Sequence, residues 1–249
     1  MKKILAITNS FGVDANHYLY GVSRAAGDDI KIVSLYIGGC SLYRHYRNML
    51  SEEKAYMLYV NGMNSGFYVS LKEALLSDEW DIVTFQQASP KSFDISTYSP
   101  YIQELSAYVK KMAPNAKQYI HGTWGYSGEK LVKSGVPYTE TLSMFADIRK
   151  AYDEARKLIF ADGLIPCTAA MEKLYVAIGN NTHRDGYHAS LGVGRYMLAL
   201  VWYMVIFGKK VDGNTFNDFD VTVTDEEVAL AKKLATEAVL EEGYLLRQE

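Results

Sequence analysis

The chain has 249 residues, 22% of them charged, and a net charge of -3. Its 49% hydrophobic content suits a globular fold and excludes a disordered chain. Lysines and arginines are spread along the sequence rather than blocked together, which argues against a nucleic-acid groove or an anionic membrane surface as partner and points to a small or neutral ligand.

Lys2-Lys3 leads straight into a strand-like segment, Ile4 to Thr8. No signal peptide is read there, so the sequence as it stands implies a cytoplasmic protein, or an exported one if a leader has been removed. Asp14 to Ala26 places apolar side chains at helical spacing, and residues 31–39, KIVSLYIGG, read as a second strand. Residues 67–77 look helical, and Trp80 to Gln87 is a third strand with a hydrophobic centre that ends in two amides. Residues 98–112 form a helix stopped by Pro114. A fourth strand covers Lys117 to Trp124, a long helix residues 141–160, and a fifth strand begins at Leu164. The longest apolar run, Tyr196 to Phe207, falls well short of the roughly 20 residues that cross a bilayer. It reads as part of a buried helix over 192–207, so no membrane span is expected. Thr224-Asp225-Glu226-Glu227 is a capping box opening a last amphipathic helix. Cys40 and Cys167 form no disulfide framework and no zinc spacing, and are expected to be free thiols.

Strands alternating with helices argue for a largely parallel sheet covered on both faces. With no linker and no repeat, residues 1–249 are read as a single domain. Ligands of such folds sit outside the carboxyl ends of the strands. Those ends carry Asn9-Ser10, Gly38-Gly39-Cys40-Ser41, Gln86-Gln87 and Thr123-Trp124, and late in the chain comes the sequence HRDGYHAS at 183–190. A serine, glycine amides, carboxamides, an aspartate and a histidine are the parts needed for acyl transfer. Ser10 is inert until a base takes its proton, His188 is the candidate base, and Asp185 three residues earlier can fix its tautomer. The oxyanion would be held by the Ser10 amide, a glycine amide of Gly38-Gly39, and a side-chain amide of Gln87 or Gln86.

These blocks resemble the SGNH/GDSL-type serine hydrolases. The family's Gly-Asp-Ser block matches Thr8-Asn9-Ser10, its glycine block matches IGGCSL, its third block matches FQQAS by position, and its Asp-x-x-His matches Asp185-Gly186-Tyr187-His188. The chain looks closest to an uncharacterised branch of that superfamily. The resemblance implies a three-layer α/β/α sandwich with a mostly parallel, flavodoxin-like sheet. It implies a catalytic triad of Ser10, Asp185 and His188, an oxyanion hole of Ser10, Gly39 and Gln87, and no cofactor. The Cys40 to Leu42 amides stay open as alternatives to Gly39, and Gln86 as an alternative to Gln87. The departures are Asn9 in place of aspartate and glutamine in place of the third-block asparagine.

Each feature also has an ordinary reading. Ser10 is a helix cap, Asp185 an N-cap, Gly38-Gly39 a tight turn, and the two glutamines are loop staples. His45 either lines a pocket or lies on a solvated helix face, and His121 is a core histidine. A metal site from His183, Asp185 and His188 lacks a signature spacing, and none is assigned. Gln86, His45, Trp124 and Tyr187 are candidates for a substrate pocket. The many aromatic residues near strand ends suit stacking on sugar rings. The expected activity is that of a serine esterase removing a short acyl group, such as acetyl from a carbohydrate, with a small-molecule or glycan ester as partner. The rival readings are a non-catalytic glycan-binding module and a metal-dependent hydrolase.

Overall fold

The structure, a computed structural model, describes residues 1–247. Seven strands run in chain order as β1 (Lys2–Thr8), β2 (Ile30–Tyr36), β3 (Tyr56–Val60), β4 (Met63–Val69), β5 (Ile82–Phe85), β6 (Lys117–His121) and β7 (Gly163–Ile165). They form one sheet in the order β4-β3-β2-β1-β5-β6-β7. The five strands β2-β1-β5-β6-β7 are parallel, and β3 and β4 add an antiparallel edge. β1 lies at the centre, with Ile4 to Thr8 buried, as a strand covered on both faces must be. Its neighbours β2 and β5 lie on opposite sides of it. Such a reversal of strand order opens a crevice above the strand's carboxyl end.

Helices cover both faces. On one side α9 (Val193–Phe207) packs against α1 (Ser10–Asn16), α2 (Leu19–Ala25), α8 (Cys167–Ile178) and α10 (Asp225–Glu241). On the other, α3 (Leu42–Ser51), α4 (Leu71–Leu76) and α5 (Tyr101–Met112) pack together, with α7 (Thr141–Leu158) beside α5. The short α6 (Gly128–Lys133) precedes α7. The apolar helix over 192–207 is α9, buried along nearly its whole length. Among the described residues no helix is long and apolar enough to cross a membrane.

Two local expectations change. The first helix starts at Ser10, not Asp14, and breaks in two near Tyr18. More consequentially, the β3-β4 hairpin occupies a stretch in which no strands were expected, and the helix expected over 67–77 shrinks to α4. The cause is the two-residue turn Asn61-Gly62, with φ of 52° and 84°. A turn with both φ values positive matches the twist of a hairpin, and Asn-Gly is the pair that adopts it best. The turn is docked, because Asn61 Oδ1 accepts from Ile32 N at 3.0 Å and Asn61 N donates to Ile32 O at 2.8 Å.

A Cβ on Gly62 would stand 2.5 Å from the His17 carbonyl oxygen, in a left-handed backbone. Gly62→Ala should therefore cost about 2 kcal/mol, from left-handed strain plus the clash. Urea unfolding would measure this, and a midpoint equal to wild type would contradict the docked turn.

Candidate active site

β1 ends buried at Thr8, and the chain turns at Asn9 into α1. Asn9 is the N-cap: its Oδ1 accepts from Phe11 N at 3.0 Å, and its Nδ2 donates to Cys40 O at 3.1 Å in the loop after β2. Gln86, at the end of β5, donates from Nε2 to Asn9 Oδ1 at 2.7 Å and accepts from Thr8 Oγ1 at 2.6 Å. Gly12 lets α1 sit down on this platform, for a Cβ there would lie 1.8 Å from Thr8 Oγ1. Ser10 is thus the first residue of α1 rather than its cap. It is half-buried, and its backbone N–H has no partner within the helix.

His188 comes from a loop closed by its own backbone. Arg184 N donates to His188 O at 3.0 Å, and Ser190 N donates to Thr182 O at 2.8 Å. Asp185 Oδ1 caps the loop from inside, accepting from His188 N at 2.8 Å and Tyr187 N at 3.2 Å. Asp185 Oδ2 lies 2.6 Å from His188 Nδ1, and His188 Nε2 lies 2.9 Å from Ser10 Oγ. Burial opposes ionisation of Asp185, but the hydrogen bonds from the His188 ring and from the two amides outweigh it. Its pKa is held below the ordinary carboxylate value. An ionised Asp185 places the proton on Nδ1 and leaves Nε2 as the acceptor for the serine proton.

Aromatic packing holds the imidazole. The Tyr187 ring centroid is 3.9 Å and the Phe11 centroid 5.8 Å from that of His188. Trp124 Nε1 donates to Tyr187 O at 2.7 Å, and the Lys130 ammonium sits 4.3 Å over the Tyr187 ring.

Several expected site residues hold other places. Gln87 is fully buried: its Oε1 accepts from Leu42 N and Ala88 N, both at 2.9 Å, and its Nε2 donates to Thr97 O and Oγ1, both at 3.1 Å. Both amide protons are committed, so Gln87 is a loop staple and not an oxyanion donor. Gln86 is likewise buried, as the strut of the turn that leads into Ser10. Of the glycine-block amides, Cys40 N donates to Ile37 O at 3.2 Å and Leu42 N to Gln87. Gly39 is exposed, with φ of 60°, and its N–H takes no hydrogen-bond partner among the described residues.

His45 lies neither in a pocket nor on a solvated face. It is fully buried, with Nδ1 3.0 Å from Tyr56 OH and 3.5 Å from Cys40 Sγ, and burial pushes its pKa down to about 3. Trp124 is also fully buried and acts from behind Tyr187 rather than lining a pocket. Tyr187 alone of the four pocket candidates is both partly exposed and in contact with His188. His183 turns Nδ1 to Ser127 Oγ at 2.9 Å, and burial lowers its pKa to about 4. Among the described residues no three His, Cys, Asp or Glu side chains are grouped to hold a metal.

Sequence reasoning passed over a cavity of about 300 Å3 beside the loop after β2. Ser41, Tyr43, Lys91, Thr97, Ser99 and Tyr101 line it, and the rings of Tyr43 and Tyr101 meet edge-on at 5.1 Å. It also passed over Asp14, an acid on the buried side of α1.

Comparison with known proteins adds a family and a fold. The model of the domain of unknown function DUF4886 matches residues 3–238. No curated protein matches the chain. The structure is similar to the crystal structure of a DUF4886 family protein from Bacteroides uniformis, with a TM-score of 0.87 at 28% identity over 98% of this chain and 96% of that one. It is also similar in fold to a carbohydrate esterase family 3 protein from Talaromyces cellulolyticus, with a TM-score of 0.53 at 12% identity over 83% of this chain and 96% of that one. Esterase EstA from Pseudoalteromonas sp. gives a TM-score of 0.51 at 13% identity, over 83% and 97%.

Gln87→Met keeps the volume and removes all four bonds, leaving the buried Leu42 and Ala88 amides unpaired. The expected loss is about 2–4 kcal/mol of stability, read by urea unfolding. A variant of wild-type stability would remove the staple assignment.

Proposed function

The chain belongs to the DUF4886 family, and we propose that it is an SGNH-type serine esterase that removes a short acyl group, such as acetyl from a carbohydrate. The observation that carries this reading is the pair of contacts at His188, 2.9 Å to Ser10 Oγ and 2.6 Å to Asp185 Oδ2. In the proposed reaction Ser10 Oγ attacks the ester carbonyl while His188 Nε2 takes its proton. Asp185 stabilises the imidazolium. The oxyanion is held by two backbone donors, the Ser10 N–H at the start of α1 and the Gly39 N–H. Collapse of the intermediate expels the alcohol, which takes the proton from His188. A water, deprotonated by the same imidazole, then frees the acid and restores Ser10. Each step uses only these groups and water.

The 300 Å3 cavity, at the loop that also carries Gly39, is lined by hydroxyls, an aromatic pair, Gln87 and Lys91, a lining compatible with a polyhydroxylated group. The Talaromyces cellulolyticus protein of similar fold is a carbohydrate esterase, consistent with this. A second reading, a glycan-binding module without catalysis, is favoured by one observation: both glutamine side chains are buried and bonded within the protein, which leaves the proposed oxyanion hole to backbone amides.

A fluorophosphonate probe separates the two readings. Wild type should be labelled at Ser10, and Ser10→Ala should not. Well-folded wild type that stays unlabelled would favour the binding module. With short-chain nitrophenyl esters, Asp185→Asn should lower kcat on the order of 10⁴-fold, by freeing the wrong tautomer.

A general base must be unprotonated to take the Ser10 proton, so kcat/KM should fall on acidification. The fold also loses stability in acid. Burial holds His45 and His121 down to about 3 and His183 to about 4. The unfolded chain therefore binds protons below about pH 6.5 that the folded chain refuses. Stability present above that pH is lost as pH falls, at up to roughly 1.4 kcal/mol per unit for each such histidine. Urea midpoints should be lower at pH 5 than at pH 7, and equal midpoints would contradict the buried neutral histidines. Rates compared at equal folded fraction isolate the proton-transfer step, and a rate that does not fall on acidification would remove His188 as the base.

A further inference from the structure

We propose that Asp14 is a positioning residue: it clamps the helix that carries the nucleophile to the loop that carries the base, and so sets the Ser10–His188 contact. Its consequence for rate rests on the esterase reading, but its geometry does not. Asp14 lies four residues after Ser10, one turn along α1, with its side chain 2% exposed. Arg184 Nη1 donates to both carboxylate oxygens, at 3.1 and 2.9 Å. Arg195, on α9, donates from Nε and lies 2.9 Å away through Nη2 as well. The Ala189 N–H donates to Oδ2 at 3.2 Å, and Arg184 Nη1 also donates to Ala189 O at 2.6 Å. Arg184 and Ala189 bracket the segment that holds Asp185 and His188. One buried carboxylate therefore grips both ends of the base loop while standing on the nucleophile's own helix.

A stability role alone does not account for this choice. A buried ion pair is commonly matched or bettered by apolar side chains of similar volume, and α1 could pack on α9 through such residues. What charged, forked hydrogen bonds add is orientation. Orientation is needed at one contact in particular. The Asp185–His188 pair lies within a single loop and survives movement of that loop as a body. The Ser10–His188 contact spans 178 residues and breaks if the loop slides on α1.

Asp14→Asn and Arg184→Gln are compared with wild type and Ser10→Ala. In Asp14→Asn the fluorophosphonate labelling rate and kcat should fall ten- to a hundredfold, as for an ångström-scale misplacement, with KM unchanged. The 15N resonance of His188 Nε2 should move toward its position in Ser10→Ala, where the serine hydrogen bond is gone. The low-field proton on His188 Nδ1 should stay, because the Asp185 pair travels with the loop. Arg184→Gln keeps the Arg195 and Ala189 contacts, should show the same changes in smaller measure, and decides the matter if Asp14→Asn does not fold. An Nε2 resonance left at its wild-type position in the folded variants would overturn the clamp, whatever the labelling shows. Wild type that is never labelled, with Nε2 nevertheless displaced in Asp14→Asn, would overturn the esterase reading and leave the clamp standing.

Discussion

The hydrogen bond between Ser10 and His188 joins points 178 residues apart, and the rest of the site is arranged to make that one distance reproducible. The sheet supplies half of the arrangement. β1 is central and buried, so its end is among the stiffest places in the molecule, and α1 starts there at once. The other half is a loop on the far side of the chain, which the sheet does not position. That loop is made rigid internally by its backbone bonds and by Asp185, which accepts from two amides as well as from the imidazole. It is fixed externally by the aromatic packing of Tyr187 and Phe11 and by the carboxylate of Asp14. Rigidity within each half would not be enough, because two stiff bodies can still slide against one another.

Asn9 and Gln86 support each other. Asn9 has to accept from the Phe11 and Gln86 amides and also donate to the Cys40 carbonyl. Asparagine can do both at once. An ionised aspartate has no proton for that carbonyl and would face it with unfavourable charge. Gln86 then reaches from β5 across to β1, using both ends of its amide. An asparagine would fall one methylene short of that reach. The glutamine pair is best understood as the framework beneath the turn into Ser10, with Gln86 under Asn9 and Gln87 tying the start of α3 to the β5–α5 connection.

What could be read from the sequence was what is local or periodic. Asp185 and His188 are three residues apart, and their pairing needs only one turn of chain. Ser10 follows a strand whose hydrophobic run announces its end. The hairpin was also legible, since Asn61-Gly62 stands between two strand-like runs, but that pair was not read as a turn. His45 carried a signal as well: it shares a helix face with Leu42 and Met49, at spacings of three and four residues, and that face is the buried one. The partners of Gln87 and Asp14 were a different matter. Strand parity says which face a side chain leaves from, not which loop comes to meet it. Arg184 lies 170 residues from Asp14, and no short-range pattern connects them.

Histidine usage shows how the fold separates structure from chemistry. His45, His121 and His183 are buried, and desolvation keeps them neutral far into acid. Each makes a fixed contact, with Tyr56, Trp202 and Ser127 respectively, and a neutral imidazole that cannot easily change charge is well suited to that use. His188 differs in two physical respects. Its side chain is 15% exposed, so water and substrate can reach it, and a carboxylate lies against its Nδ1. Burial without a counter-charge makes a histidine inert, whereas partial exposure beside an anion suits a general base, because an imidazolium then has a partner and its proton a route. Of these four histidines only His188 meets both conditions, and it is the one within hydrogen-bond reach of Ser10.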